Sequence, residues 1–206
     1  MHNNASAQIE QGQILPSQLL ILGGSQGADS LNDAVLRAIE VCRDSFQGWR
    51  IVHQSGLRQV DQIRLAYERM GLNAEVEPFL EEMVSYYRSA TLVISRAGAT
   101  TLAELACCGL PMILLPYPHA TDNHQLENAR SLANRSAAVC VEHKATVDQT
   151  ASDIVRELNG FLSEPSRLLA FSDAARNCAK PNAVDLVANL IIDRIQDQNG
   201  KFIETA

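Results

Sequence analysis

Apolar residues along this chain fall into short unbroken runs separated by stretches of helical spacing. Leu19–Leu22 is the first such run, closed by Gly23-Gly24, and reads as a strand buried on both faces of a parallel sheet. Leu31, Val35, Ala38, Ile39 and Cys42 then recur at the intervals of an amphipathic helix. The alternation continues with strands over Trp49–His53, Ala74–Val76, Thr91–Ser95, Met112–Leu115 and Ala137–Val141. Helices are expected between them at Leu57–Met70, Met83–Ser89, Thr100–Cys108 and Asp122–Asn134, with Gly71 and Gly109 as stops. Beyond Val141 the periodicity is helical only. One helix starts at Thr146 or Val147 and runs to Leu162, and a second covers Ser166–Cys178. A third has Pro181 in its first turn and carries Val184, Val187, Ala188, Ile191 and Ile195 on one face. Six strands alternating with helices predict an α/β fold, a doubly wound parallel Rossmann-like sheet followed by extra C-terminal helices. Ligands of such sheets bind beyond the carboxyl ends of the strands, which directs attention to the loops.

Composition narrows the function without changing the fold. The 206 residues, 46% hydrophobic and 20% charged, suit one ordinary globular domain. Residues 1–17 are polar and broken by Gly12 and Pro16, as in a tail or linker; residues 18–198 form the domain, and 199–206 a second tail. The net charge of −7 gives no broad attraction to nucleic acid. Five cysteines, odd in number and without a CxxC pair, argue against a disulfide framework or a zinc site and fit small core or interface residues in a reducing compartment. No signal segment or membrane span is visible, so a cytoplasmic protein is expected, with any membrane role supplied by a partner or a lipid substrate.

Three loops carry candidate chemistry. The first, Gly23-Gly24-Ser25-Gln26-Gly27-Ala28, joins a strand to a helix, and its glycines allow a tight turn below unpaired helix N–H groups that favour an anion. It lacks the Gly-Lys-Ser/Thr ending of a P-loop, and the second strand ends His53-Gln54-Ser55 without the acidic residue of a dinucleotide site. The second loop, Ser95 to Glu104, again opens a helix on small residues. Thr101 and Glu104 fit a capping box, or alternatively Glu104 accepts ribose hydroxyls while the turn amides face a phosphate. The third, Pro116 to Gln125, gathers His119, Asp122, Asn123, His124 and Gln125, donors and acceptors of the kind sugar hydroxyls need. Asp122 fits an ordinary helix N-cap equally well, and His119 with His124 lacks a third metal ligand at recognisable spacing.

In order and approximate spacing, Gly23–Ala28 with Leu31-Asn32, Arg96–Ala99 with Thr101 and Glu104, and His119-Ala120 with Asp122–Gln125 and Asn128-Ala129 resemble the MurG family of N-acetylglucosamine transferases. The segment Glu77–Met83 is similar to that family's loop after the third strand, and the likeness runs from about Leu19 to Leu190. It implies the C-terminal, donor-binding half of a GT-B type glycosyltransferase using UDP-N-acetylglucosamine, with no cofactor and no metal. By resemblance Ser25, Gln26, Gly27, Gly98, Ala99 and Thr101 hold the donor diphosphate. Leu80, through its backbone, and Met83 meet the uracil, Glu104 the ribose, and His124 and Gln125 the sugar, with Asn32 and Asp122 in support. Thr100 stands where the family often has an apolar residue.

The family's acceptor site and proposed base belong to a second, N-terminal domain, which residues 1–17 are too few to supply. The resemblance thus implies transfer to a lipid-linked peptidoglycan precursor, lipid I to lipid II, through an acceptor-binding domain or subunit at the inner face of the plasma membrane. The last helix reaches back to that domain in the family. Two alternatives are a non-catalytic nucleotide-sugar-binding subunit and a protein resembling UDP-N-acetylglucosamine epimerases.

Overall fold

The computed structural model describes the backbone of residues 9–10, 13–14, 17–24 and 28–203, and side chains of 17–24, 28–192 and 194. A short antiparallel pair, β1 (Ile9–Glu10) and β2 (Gln13–Ile14), lies within the stretch expected to be a tail. The domain follows as β3 (Gln18–Leu22), α1 (Asp29–Cys42), β4 (Arg50–Gln54), α2 (Val60–Met70), β5 (Ala74–Glu77) and α3 (Met83–Ser89). It continues through β6 (Leu92–Ser95), α4 (Ala99–Cys108), β7 (Met112–Leu114), α5 (His124–Ala133) and β8 (Ala138–Cys140). The closing helices are α6 (Val147–Ser163), α7 (Pro165–Cys178) and α8 (Ala183–Ile203).

Strands β3 to β8 form one parallel sheet in the order β5-β4-β3-β6-β7-β8. The central strand shows why its sequence is apolar throughout. Leu19 and Ile21 face a core shared with Val35 and Ile39 of α1, Ile63 of α2 and Leu158 of α6. Leu20 and Leu22 face the opposite core, with Tyr87 of α3, Leu105 of α4 and Ala175 of α7. Alternate side chains thus feed two cores, and no position on β3 is left for a solvent-facing residue. Its register places Leu22 opposite both Gln54 of β4 and Ser95 of β6, so the three strands end level. From β3 the chain steps outward to β4 and β5, then returns across β3 to β6. The turns after β3 and β6 therefore flank the crevice where strand order reverses.

Gly71 and Gly109 end α2 and α4 in the left-handed region, at φ 68° and 64°. After α4 the amide of Leu110 reaches back to Leu105 O at 3.0 Å, which satisfies a carbonyl the helix leaves open. Thr146 caps α6 by accepting from Gln149 N.

Other local expectations change. The helix expected from Leu57 begins at Val60, and Leu57 is exposed in the preceding turn. Pro181 lies in the turn before α8 rather than in its first helical turn; Pro165 instead takes the first position of α7. Helix α8 runs to Ile203. Val184, Val187 and Ile191 on it are exposed, while the side chain of Ile195 lies outside the described residues. Cys42 is buried as a core cysteine should be, whereas Cys107 and Cys108 are exposed.

Candidate functional site

A cleft of about 410 Å³ opens at the carboxyl ends of β3, β4 and β6. Its floor comes from the first turn, through Leu22, Gly23 and Gly24. Gly23 donates its amide to Gln54 O at 3.0 Å, and a Cβ there would lie 2.9 Å from that oxygen and 3.2 Å from Asn32 Oδ1. Only glycine permits this approach of the turn to β4. Gly24 follows at φ 81°, again a glycine conformation. Ser25, Gln26 and Gly27, expected to hold a diphosphate, lie outside the described residues.

The second turn supplies Ser95, Arg96, Gly98, Thr101 and Glu104. Helix α4 starts at Ala99 with Gly98 in the N-cap position, and its first intrahelical bond is Leu102 N to Gly98 O. The amides of Ala99, Thr100 and Thr101 precede that bond and are donors at a helix N-terminus. The capping box is not formed. Thr101 lies within the helix and no side chain caps it. Glu104 instead accepts from Tyr87 Oη at 2.8 Å and lines the cleft. Burial and this carboxylate push the Tyr87 phenol up from its ordinary pKa, so the phenol is the donor in the pair. A Cβ on Gly98 would meet nothing within 4 Å, so the glycine leaves open space beside these amides. Ala99 borders a separate groove between α4 and α5.

From the third loop, Gln125 reaches the cleft, its Oε1 accepting from Ala97 N at 3.3 Å and Tyr117 N at 3.0 Å. Its neighbour His124 is exposed, with Nδ1 2.7 Å from Thr121 O. Asp122 does not cap α5. It sits in a 3-10 turn at φ 50°, a left-handed conformation that Asp tolerates, and Asn123 takes the N-cap position without a side-chain bond. Across the cleft, Met83 and Tyr87 share one face of α3, while Leu80 is buried and its amide meets Gln54 Oε1 at 3.4 Å.

Beneath the first turn, Asn32 is fully buried and joins four elements of the neighbourhood. Its Nδ2 donates to Ser55 O at 2.9 Å and Gln59 Oε1 at 2.7 Å, leaving Oδ1 to accept from His53 Nε2 at 3.1 Å. This fixes the His53 tautomer: Nε2 carries the proton, and Nδ1 accepts from Tyr67 Oη at 2.9 Å. Desolvation holds His53 neutral, with its pKa down to about 3.

Arg96 and Glu104 are the charged residues of the cleft lining. Arg96 Nη1 donates to Leu115 O at 2.9 Å, Pro116 O at 3.3 Å and His143 Nε2, while Nη2 donates to Ser30 Oγ at 2.8 Å. Burial lowers the guanidinium pKa to about 10, and burial with the Arg96 charge holds His143 neutral, at about 4. Among the described residues no cluster of His, Cys, Asp and Glu has the makings of a metal site.

Sequence reasoning had not selected Gln54, Tyr87 or Arg96 for a role. A polar residue closing an apolar strand marked Gln54, and four-residue spacing from Met83 marked Tyr87.

Residues 18–188 match the glycosyltransferase family 28 C-terminal domain. The chain is 36% identical over 97% of its length to the UDP-N-acetylglucosamine–N-acetylmuramyl-(pentapeptide) pyrophosphoryl-undecaprenol N-acetylglucosamine transferase of Anaeromyxobacter sp. (strain K), covering 51% of that protein. It is 42% identical over 85% of its length to the transferase of the same name from Thiobacillus denitrificans, covering 46% of it. The crystal structure of Acinetobacter baumannii MurG superposes with a TM-score of 0.74 at 34% identity, over 86% of this chain and 52% of that one. A putative UDP-N-acetylglucosamine 2-epimerase from Listeria monocytogenes shares the fold, at 12% identity and a TM-score of 0.65, over 89% of this chain and 46% of that one. The chain spans about half the length of the curated relatives it matches. By the match over its sheet and most of its helices, the chain belongs to glycosyltransferase family 28, as a C-terminal domain of that family.

Proposed function

We propose that this chain binds UDP-N-acetylglucosamine and forms the donor-side half of a transferase that passes the sugar to a lipid-linked peptidoglycan precursor. The observation that carries the reading is one cleft in which the α4 N-terminus, the Gly23-Gly24 turn and the Glu104 carboxylate converge at the strand-order reversal. In this reading the amides of Ala99 to Thr101 and the Ser25–Gly27 segment receive the diphosphate. Glu104, oriented by Tyr87, accepts from the ribose hydroxyls. The Leu80 backbone and Met83 meet the uracil, and Gln125 with His124 the sugar hydroxyls.

Transfer forms a bond from an acceptor hydroxyl oxygen to the anomeric carbon and breaks the bond from that carbon to the β-phosphate oxygen. UDP leaves with the electron pair, and the hydroxyl proton goes to a base in the acceptor-binding half. The transition state gains charge on the departing diphosphate, which preorganised amides stabilise without reorganising. The partner half also supplies the lipid-linked acceptor and a peripheral place at the cytoplasmic face of the membrane. Among the described residues no helix is long and apolar enough to cross a membrane.

Titration calorimetry with UDP, UDP-N-acetylglucosamine and UDP-glucose tests the reading. UDP binds and the N-acetylglucosamine donor binds more tightly than the glucose donor. Loss of the charge-assisted ribose bonds in Glu104→Ala weakens UDP by roughly ten- to a hundredfold. Absence of UDP binding at millimolar concentration overturns it.

A further inference from the structure

Arg96 carries a positive charge whose partner is missing. It lines the cleft, yet every acceptor it meets is neutral: two backbone carbonyls, the Ser30 hydroxyl and an imidazole kept neutral by the guanidinium beside it. Among the described residues it forms no ion pair, while Asp29, the carboxylate opening α1, is paired with Arg58 at 3.1 Å. Two-thirds-buried cations are costly unless an anion answers them.

The bonds Arg96 makes also fix where its remaining donors point. Both Nη1 hydrogens are spent on the ends of β7 and β8, and one Nη2 hydrogen on Ser30, in the first turn of α1. Nε–H and the second Nη2–H have no partner among the described residues. These two lie on one edge of the guanidinium, the parallel fork that matches two oxygens of a phosphate. The fork is therefore anchored between the α1 N-terminus and the turn that opens α4, the two dipole ends that face the strand-order reversal.

We propose that Arg96 is the counter-cation of the donor diphosphate, binding it through the Nε/Nη2 edge and taking up the charge that develops when UDP departs. The inference rests on the nucleotide-sugar reading of the same cleft and names the residue that discriminates diphosphate from nucleoside. The neutral bonds to Leu115, Ser30 and His143 hold the fork in place before the ligand arrives.

Uridine, UDP and inorganic pyrophosphate, titrated into the wild type, Arg96→Gln and Arg96→Lys, test it. In the wild type UDP binds more tightly than uridine. Arg96→Gln loses roughly ten- to a hundredfold of that difference, with uridine affinity unchanged. Arg96→Lys, which keeps the charge without the fork, falls between them and guards against a Gln variant that does not fold. Equal weakening of uridine and UDP in Arg96→Lys shows a structural role only and overturns the proposal, as does UDP binding unaltered in both variants. Pyrophosphate separates the two readings. Arg96-dependent pyrophosphate binding without uridine or UDP binding leaves the anion site standing and removes the nucleotide reading. Wild type that binds none of the three overturns both.

Discussion

Gly23 and Gly98 both line the cleft, but for opposite reasons, and substituting each separates packing from ligand space. At Gly23 an added Cβ sits 2.9 Å from Gln54 O and 3.4 Å from Ala28 N, both backbone atoms that cannot swing aside. Overpacking of that kind costs about 1–3 kcal/mol, and straining the 3.0 Å bond from Gly23 N to Gln54 O adds about 1 kcal/mol. Gly23→Ala is thus expected to lose about 2–4 kcal/mol. Gly98 has φ −70° and ψ 134°, which any L-residue adopts, and its Cβ would enter open space. Gly98→Leu therefore changes stability by about 1 kcal/mol or less, the difference between residues at an uncapped N-cap. Its side chain projects beside the amides of Ala99 to Thr101, so UDP affinity falls by about a hundredfold or more as the leucine fills space the diphosphate needs. Urea unfolding gives the first quantity and calorimetry the second. A Gly98→Leu protein that binds UDP like the wild type would refute the placement of the ligand against α4. One destabilised as much as Gly23→Ala would refute the claim that the space is open.

Tyr87→Phe removes the donor to Glu104 while keeping the ring packed, and is expected to weaken uridine and UDP equally, by about three- to tenfold in calorimetry. A change confined to UDP would argue against a ribose-side role. Asn32→Leu strands the Ser55 carbonyl and His53 Nε2–H in the core, for a loss of about 2–5 kcal/mol in urea unfolding; a loss under about 1 kcal/mol would mean the network is not satisfied as drawn. His53 gives a pH signature. Its folded pKa, about 3, lies below the ordinary 6.5, so the unfolded chain takes up the proton first as pH falls. Its contribution is whole above about pH 6.5 and is lost towards pH 3, at up to about 1.4 kcal/mol per pH unit. His53→Gln should flatten the stability–pH slope over that window in urea midpoints, with His143 present in both proteins; identical slopes would show that His53 protonates freely.

The sheet was readable in the sequence because parallel strands buried on both faces have no polar positions to disguise them. Leu19–Leu22 and Leu92–Ser95 announce themselves, and Gly71 and Gly109 stop their helices as their sequence positions imply. What stayed hidden depends on register. Gln54, Arg96 and Tyr87 come from three separate elements and meet because β3, β4 and β6 end level. Nothing within ten residues of any of them records that alignment.

The capping box shows how one local choice decides a side chain's fate. Had Thr101 been the N-cap, Glu104 would stand three residues on and reach back to the backbone. Helix α4 begins two residues earlier than that arrangement requires, at Ala99, because Gly98 takes the cap position. Glu104 then lies well inside the helix, where every backbone amide already has an intrahelical acceptor. Its carboxylate has no local bond to make and turns to Tyr87 and the cleft. Thr101 likewise lines the cleft instead of closing the helix. A glycine cap has no side chain to occupy the N-terminal amides, so the same substitution of Gly for Thr at the cap frees both the donors for a phosphate and the acceptor for a ribose.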